Sequence, residues 1–243
     1  MANRMARSRW LRAETTLIIG HRGASQALPE NTLAAFALAV EQGAHGVELD
    51  VRLSKDGRAV LMHDATLQRV SGNPANVCDL TVKELKQVDL GEGQTIALLA
   101  ELFELLGDAT LYNIELKAFG LRDQGLVDTV AQVVDDFGLQ EEVLFSSFNP
   151  LVVRRARAAV DLPAALIRGP GVYRHTKWFV DTEVENPHYS LVDESYMERA
   201  SRDGRAIFAW TADDLTEGQR LADLGVQGII TNVPDHLLEH LVL

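Results

Sequence analysis

Strand-like and helix-like patterns alternate along nearly the whole of this sequence, and the alternation predicts an α/β fold, a single (β/α)8 TIM barrel. Three observations carry the prediction. Short apolar runs recur and are mostly followed by segments of helical spacing; no Pro/Ser-rich linker divides the 243 residues; and ionisable residues close several of the apolar runs, where such a barrel keeps its chemistry. A doubly wound open sheet is the structural competitor. It calls for a glycine-rich phosphate loop after the first strand, and "GHRGAS" has two glycines but no GxGxxG.

Residues 1–16 are read as an N-terminal arm and 17–243 as the barrel domain. The arm carries Arg4, Arg7, Arg9 and Arg12 and is expected as a solvated, partly disordered start, although Trp10 beside the arginines would also suit an anionic lipid surface. "TLIIG" is too short for a signal sequence or a membrane span, so a cytoplasmic protein without stable membrane insertion is expected. The strand "LIIG" leads into His21 and Arg22. "NTLAAFALAVEQG" follows as a helix, with Leu33, Phe36, Ala37 and Val40 at helical spacing, Asn31 or Thr32 able to cap it and Gly43 placed to end it.

In "GVELDVRL" the residues Val47, Leu49, Val51 and Leu53 alternate with Glu48, Asp50 and Arg52, which gives a strand with one apolar and one charged face. Further strands are expected at "AVLMH" (59–63), "ATLYNIELK" (109–117), "EVLFSSF" (142–148), "AALI" (164–167), "AIFAW" (206–210) and "QGIIT" (227–231). Helices are expected at "LTVKELKQV", "LAELFELL", "GLVDTVAQVVDDFG", "NPLVVRRARAAV", "ESYMERASRDG" and "DLTEGQRLADLG", several closed by the glycine a helix C-terminus favours. Residues 64–95 are polar, turn-rich and long for a connection, and read as a small insertion over one rim of the barrel.

Composition narrows the function. With 23 Lys+Arg against 35 Asp+Glu the chain carries a formal charge of −12, so nucleic acid is not an expected partner. Any attraction for an anion must come from a few local cations or a bound metal. Cys78, the single cysteine, excludes an internal disulfide and reads as buried filler. Nothing in the sequence specifies an oligomeric state.

Glu48 and Asp50 share a strand face, and two close carboxylates repel unless a cation lies between them. Oxygen-only ligation points to a hard divalent ion, Mg²⁺ or Ca²⁺. Glu115 and Lys117 of "NIELK" also share a face, and add a third hard ligand and a cation suited to a phosphate oxygen. His21 and His63 each follow an apolar run. Imidazole titrates near neutrality, so one histidine can act as base and the other as acid, the two services that cleaving a phosphodiester needs.

In order along the chain, "HRGASQALPENT", "GVELDVRLSKDGRAVLMHDATLQRVS", "NIELK", "FAWTADD" and "GVQGIITNVP" resemble the blocks of the glycerophosphodiester phosphodiesterase family, from about residue 17 to residue 235. The resemblance implies a (β/α)8 barrel with a small insertion after the second barrel strand, and hydrolysis of small-molecule glycerophosphodiesters to glycerol 3-phosphate and an alcohol. It implies His21 and His63 as the acid/base pair, Glu48, Asp50 and Glu115 as ligands of the divalent metal, and Arg22 and Lys117 as the phosphate clamp. Trp210 is similar to the family's aromatic wall beside the substrate, and reads equally as a barrel-core aromatic. Two features depart from the family pattern: Ala97 and Leu98 stand in place of a Pro-Thr-Leu step, and Asn232 stands where an aspartate often precedes the last proline motif. Two readings from other classes stay open, a non-catalytic phosphate-ester-binding barrel and a metal-dependent phosphosugar lyase or isomerase. Among phosphodiesterases, a lysophospholipase D-type activity is the runner-up.

Overall fold

The computed structural model describes residues 8–118, 123–170 and 180–242. Its sheet is a closed barrel. The parallel strands are β1 (Leu17–His21), β2 (Gly46–Leu53), β4 (Leu111–Leu116), β5 (Val143–Ser147), β6 (Ala164–Arg168), β7 (Val184–Pro187), β8 (Ala206–Ala209) and β9 (Gly228–Thr231), and β1 pairs with both β9 and β2 to close the ring. Helices α1 (Leu33–Glu41), α2 (Leu99–Leu106), α3 (Leu126–Phe137), α4 (Pro150–Ala159), α5 (Glu194–Arg202), α6 (Leu215–Asp223) and α7 (Pro234–His240) cover the outside. This is a (β/α)8 barrel. Among the described residues no helix is long and apolar enough to cross a membrane.

Two strands correct the sequence reading. The run "AVLMH" contributes β3 (Ala59–Leu61), which pairs antiparallel with β2 and stands outside the ring. Asp56 and Gly57 explain it: Gly57 adopts φ +72° and its N–H bonds Ser54 O at 2.9 Å, so the chain reverses in a tight hairpin instead of crossing over. The missing barrel strand is β7, "VENP", which has no apolar alternation because Glu185 and Asn186 are both buried on opposite faces.

The insertion follows the β2–β3 hairpin and has a small core of its own, in which Leu67, Val77 and Leu85 pack on Val60, Met62 and Ile96. Cys78 is exposed there, not buried. Its neighbour Val77 fills the core position.

The barrel lumen is filled from below by Leu17, Ile19, Leu111, Leu144, Ala165, Val184, Ala206 and Phe208, and Trp10 closes the bottom. Trp10 is 1% exposed, stacks edge-on against Phe208 at 5.1 Å and donates from Nε1 to Glu142 O at 2.8 Å. The burial of Trp10 corrects the expected solvated start at that residue, while Arg9 and residues 12–15 are exposed, and Arg4 and Arg7 lie outside the described residues. The indole finds both a dry surface and an acceptor at the barrel floor, so its ring and its N–H are both used within the protein. With the bottom covered by Trp10, the lumen opens, among the described residues, at the C-terminal ends of the strands.

Candidate active site

At the end of β1 the backbone turns sharply. Arg22 and Gly23 both take left-handed conformations, φ +56° and +84°, and a Cβ at Gly23 would lie 2.5 Å from the Ala35 carbonyl carbon, so only glycine fits against the start of α1. The turn aims His21 and Arg22 across the mouth at β2. Arg22 N donates to Glu48 O at 2.8 Å, and its guanidinium Nε lies 3.1 Å from Asp50 Oδ2. A non-glycine residue held at positive φ is strained, and such strain concentrates at functional sites.

Glu48 and Asp50 project into the lumen from β2, and Glu115, in register with Asp50, projects from β4. All three are buried, and each offers an oxygen within 4.8 Å of the others. Lys117 Nζ sits 2.6 Å from Glu115 Oε1 and 3.0 Å from Asp50 Oδ1. Three carboxylates thus face two cations. The imbalance appears in their acidity: burial, with Asp50 and Glu115 nearby, pushes Glu48 well up, and burial pushes Glu115 up to about 7. Asp50 goes the other way, because Lys117 and Arg22 outweigh its burial. A hard divalent cation fits this set, supplying the missing positive charge to oxygen-only ligands that converge within 4.8 Å of one another.

Each histidine is oriented through Nδ1. Asn232 has its amide tied to Asp213, Nδ2 donating to Oδ2 at 2.6 Å, so its Oδ1 is left to accept from His21 Nδ1 at 2.7 Å. The proton of neutral His21 therefore sits on Nδ1, and Nε2, 3.8 Å from Glu48 Oε2, is the free base. Burial and then the neighbouring Arg22 lower His21 to about 4, which keeps it neutral at physiological pH. His63 lies two residues beyond β3, not at the end of a barrel strand, and donates from Nδ1 to Asp64 Oδ1 at 2.6 Å. Burial, reinforced by Lys117 and Arg22, lowers it as well.

His21, Arg22, Glu48, His63, Glu115, Lys117 and Trp210 line one cavity of about 160 Å³, with Asp50 beneath its cations. Trp210, just beyond β8, donates from Nε1 to Asn186 O at 2.8 Å and meets Phe148 edge-on at 5.6 Å, so it is a cavity wall that is also packed. Several supporting residues escaped the sequence reading. Asn31 (φ +58°) clasps Asp50, donating to Oδ2 at 2.8 Å and accepting from its backbone N at 3.1 Å, while Thr32 takes the α1 cap. Glu30, Asp64 and Arg69 form an ion-pair chain that joins Arg22 to His63. Only the "PENT" run hinted at any of these.

Residues 21–236 match the model of the glycerophosphoryl diester phosphodiesterase family. The chain belongs to that family. It is 36% identical over 236 residues to a glycerophosphodiester phosphodiesterase of Caldanaerobacter subterraneus subsp. tengcongensis, covering 92% of this chain and 96% of the relative. It is 31% identical to one of Bacillus altitudinis, covering 92% and 97%. Among solved structures, an Oleispira antarctica phosphodiesterase in complex with the product sn-glycerol-3-phosphate is 27% identical, with a TM-score of 0.85 over 93% of this chain and 96% of that one. The glycerophosphodiester phosphodiesterase of Thermotoga maritima is 29% identical, with a TM-score of 0.78 over 94% and 99%. Where the family has its Pro-Thr-Leu step, Leu98 N donates to Glu101 Oε2 at 2.8 Å, so this phosphodiesterase secures the start of α2 with a carboxylate.

Proposed function

We propose that this chain hydrolyses glycerophosphodiesters to glycerol 3-phosphate and an alcohol, with Mg²⁺ or Ca²⁺ held by Glu48, Asp50 and Glu115 and with His21 and His63 as the acid/base pair. One observation carries the reading: two histidines with Nδ1 committed to acceptors, and so Nε2 free, line the same cavity as a buried carboxylate cluster short of positive charge. The product-bound Oleispira relative supports the substrate class.

Arg22 and Lys117 hold the non-bridging phosphate oxygens, and their charge is preorganised by the carboxylates they already touch. The divalent ion, when bound, supplies Lewis-acid stabilisation of charge developing on the phosphate. His21 Nε2 takes the proton of the nucleophile, either water or the glycerol hydroxyl next to the ester. His63 Nε2 delivers a proton to the departing alcohol oxygen. A bound phosphodiester offsets the charges of Arg22 and Lys117, which lower His63 in the free site, and so favours the protonated form this role needs. Trp210 and Phe148 form the aromatic wall.

The test is release of glycerol 3-phosphate from a panel of choline, ethanolamine and glycerol diesters, with and without chelator. Activity is expected with Mg²⁺ or Ca²⁺ and lost on chelation; full activity after exhaustive chelation overturns the metal assignment. His63→Ala is expected to cost roughly 10²- to 10⁴-fold on a choline ester and far less on a p-nitrophenyl ester, whose phenolate leaves unaided. The mirror-image pattern exchanges the two histidines.

A further inference from the structure

Beside and just beneath the carboxylates the lumen carries an uncharged polar layer. Asn113 stands two residues before Glu115 on β4, so its side chain points the same way one step deeper. Ser146 on β5 and Asn186 on β7 line the same cavity. All three are buried, at 0%, 1% and 1% exposure, yet Asn113 Nδ2 and Oδ1, Ser146 Oγ and Asn186 Oδ1 have no hydrogen-bond partner among the described residues. Asn113 is in register with Glu48 and Ser146 with Glu115, yet these atoms make no hydrogen bond to the carboxylates; Ile167 and Ile230 share the cavity wall, and the dry plug of Leu144, Ala165, Val184 and Phe208 lies below. Unpaired buried polar groups destabilise a fold, so a layer of alanine, valine and leucine would be the more stable choice here.

The chemistry of the layer narrows what completes it. An amide and a hydroxyl each offer a donor and an acceptor, and none of the three side chains carries charge. Such a set matches alcohol hydroxyls, which also donate and accept, and matches neither a second phosphate nor an acyl chain. We propose that Asn113, Ser146 and Asn186 form the polyol subsite of the phosphodiesterase site, receiving the terminal hydroxyl end of the glycerol moiety; this rests on the function proposed above. The glycerol then points down into the barrel, and the phosphate lies above it at Arg22 and Lys117. The alcohol that leaves faces the open mouth.

The test trims the substrate by one group. Glycerophosphocholine is compared with 2-hydroxyethyl phosphocholine, which keeps the hydroxyl beside the ester and lacks the terminal hydroxymethyl. The parent is expected to prefer the glycerol ester. Ser146→Ala, Asn113→Ala and Asn186→Ala should each lower kcat/KM on the glycerol ester about 10-fold, with little change on the trimmed ester, so that the preference collapses. Ser146→Ala, which removes one unpaired oxygen, should melt at or above the parental temperature. Equal losses on both esters, or a parent that turns over both alike, overturn the subsite alone. A parent that releases no glycerol 3-phosphate from any member of the panel overturns the phosphodiesterase reading and the subsite with it.

Discussion

Two buried carboxylate clusters stand on this barrel, and they differ in whether their charges are matched. Glu185 points outward from β7 toward α5, where Arg168 and the Tyr196 hydroxyl reach Oε2 at 3.0 and 2.5 Å and Arg205 reaches Oε1 at 2.7 Å. Against the effect of burial, the Tyr196 hydrogen bond and the two arginines hold its carboxyl below the usual range. Glu48 and Glu115 point inward and are both pushed up. Burial is common to the two clusters, so burial alone does not mark a site. What separates them is the balance of charge: Glu185 alone meets two arginines, whereas the lumen sets three carboxylates against Arg22 and Lys117, so that Asp50 is held down while Glu48 and Glu115 are pushed up, an arrangement that could accept a further cation.

Exchanging the damage gives the largest expected effects. Glu185→Ala leaves Arg168 and Arg205 without their shared carboxylate and should cost about 3–5 kcal/mol of stability, with turnover per folded molecule unchanged. Glu48→Gln should do the opposite, lowering kcat by about 10²- to 10³-fold while the fold keeps its stability or gains some. Denaturant unfolding and turnover measured on both variants check this. A Glu48→Gln protein as unstable as Glu185→Ala would mean that the lumen cluster is structural.

The same contrast predicts opposite responses to pH in protein kept metal-free with chelator. Glu115 has an ordinary value of 4.5 and about 7 in the folded chain. Its contribution to stability is therefore full below about pH 4.5 and is lost as pH rises through 7, a change on the order of 2–3 kcal/mol. Glu185 is depressed, so its contribution is present above its ordinary 4.5 and is lost only as pH falls through the folded value. Between pH 5 and 8 the metal-free parent should lose stability, Glu115→Gln should lose less, and an added divalent cation should reverse the slope. Parallel profiles for parent and Glu115→Gln would break the comparison.

How much of this was legible follows from periodicity. The alternation in "GVELDVRL" and "NIELK" assigns Glu48, Asp50, Glu115 and Lys117 to a common face, and a parallel register brings those faces together, so the cluster can be read from spacing. Strand β7 is hidden because each of its faces carries a buried polar residue, Glu185 on one and Asn186 on the other, and β3 reads as a barrel strand because a short apolar run does not say which way it pairs. Asn113 and Ser146 look like incidental polar residues inside apolar runs. The Glu30–Arg69 pair spans 39 residues and exists only because the insertion folds back over the first loop, information that no local pattern contains.

That pair sharpens the comparison with a third, exposed case. Arg69, at the single helical turn Gln68–Ser71 of the insertion, donates from Nε to Asp64 Oδ2 at 2.6 Å and from its two terminal nitrogens to Glu30 at 2.8 and 2.7 Å. Asp64 in turn holds His63 Nδ1, and Glu30 holds Arg22 at 2.9 Å. One half-exposed arginine thus braces two carboxylates, each of which orients a group on the cavity. Exposed ion pairs contribute little to stability, so Arg69→Ala should change the folding free energy by less than about 1 kcal/mol. Its effect should fall on geometry instead, with kcat down about 10-fold, because small misplacements of reacting groups are costly. Arg69→Lys should restore little of this, since a point charge cannot replace a fork that serves both carboxylates. The control is Arg155, equally exposed and paired with Asp128 at 2.5 Å on the outer helices; Arg155→Ala should leave kcat at the parental value. If Arg69→Ala also turned over at the parental rate, or if the two variants lost activity alike, the insertion would have no part in orienting His63 and Arg22.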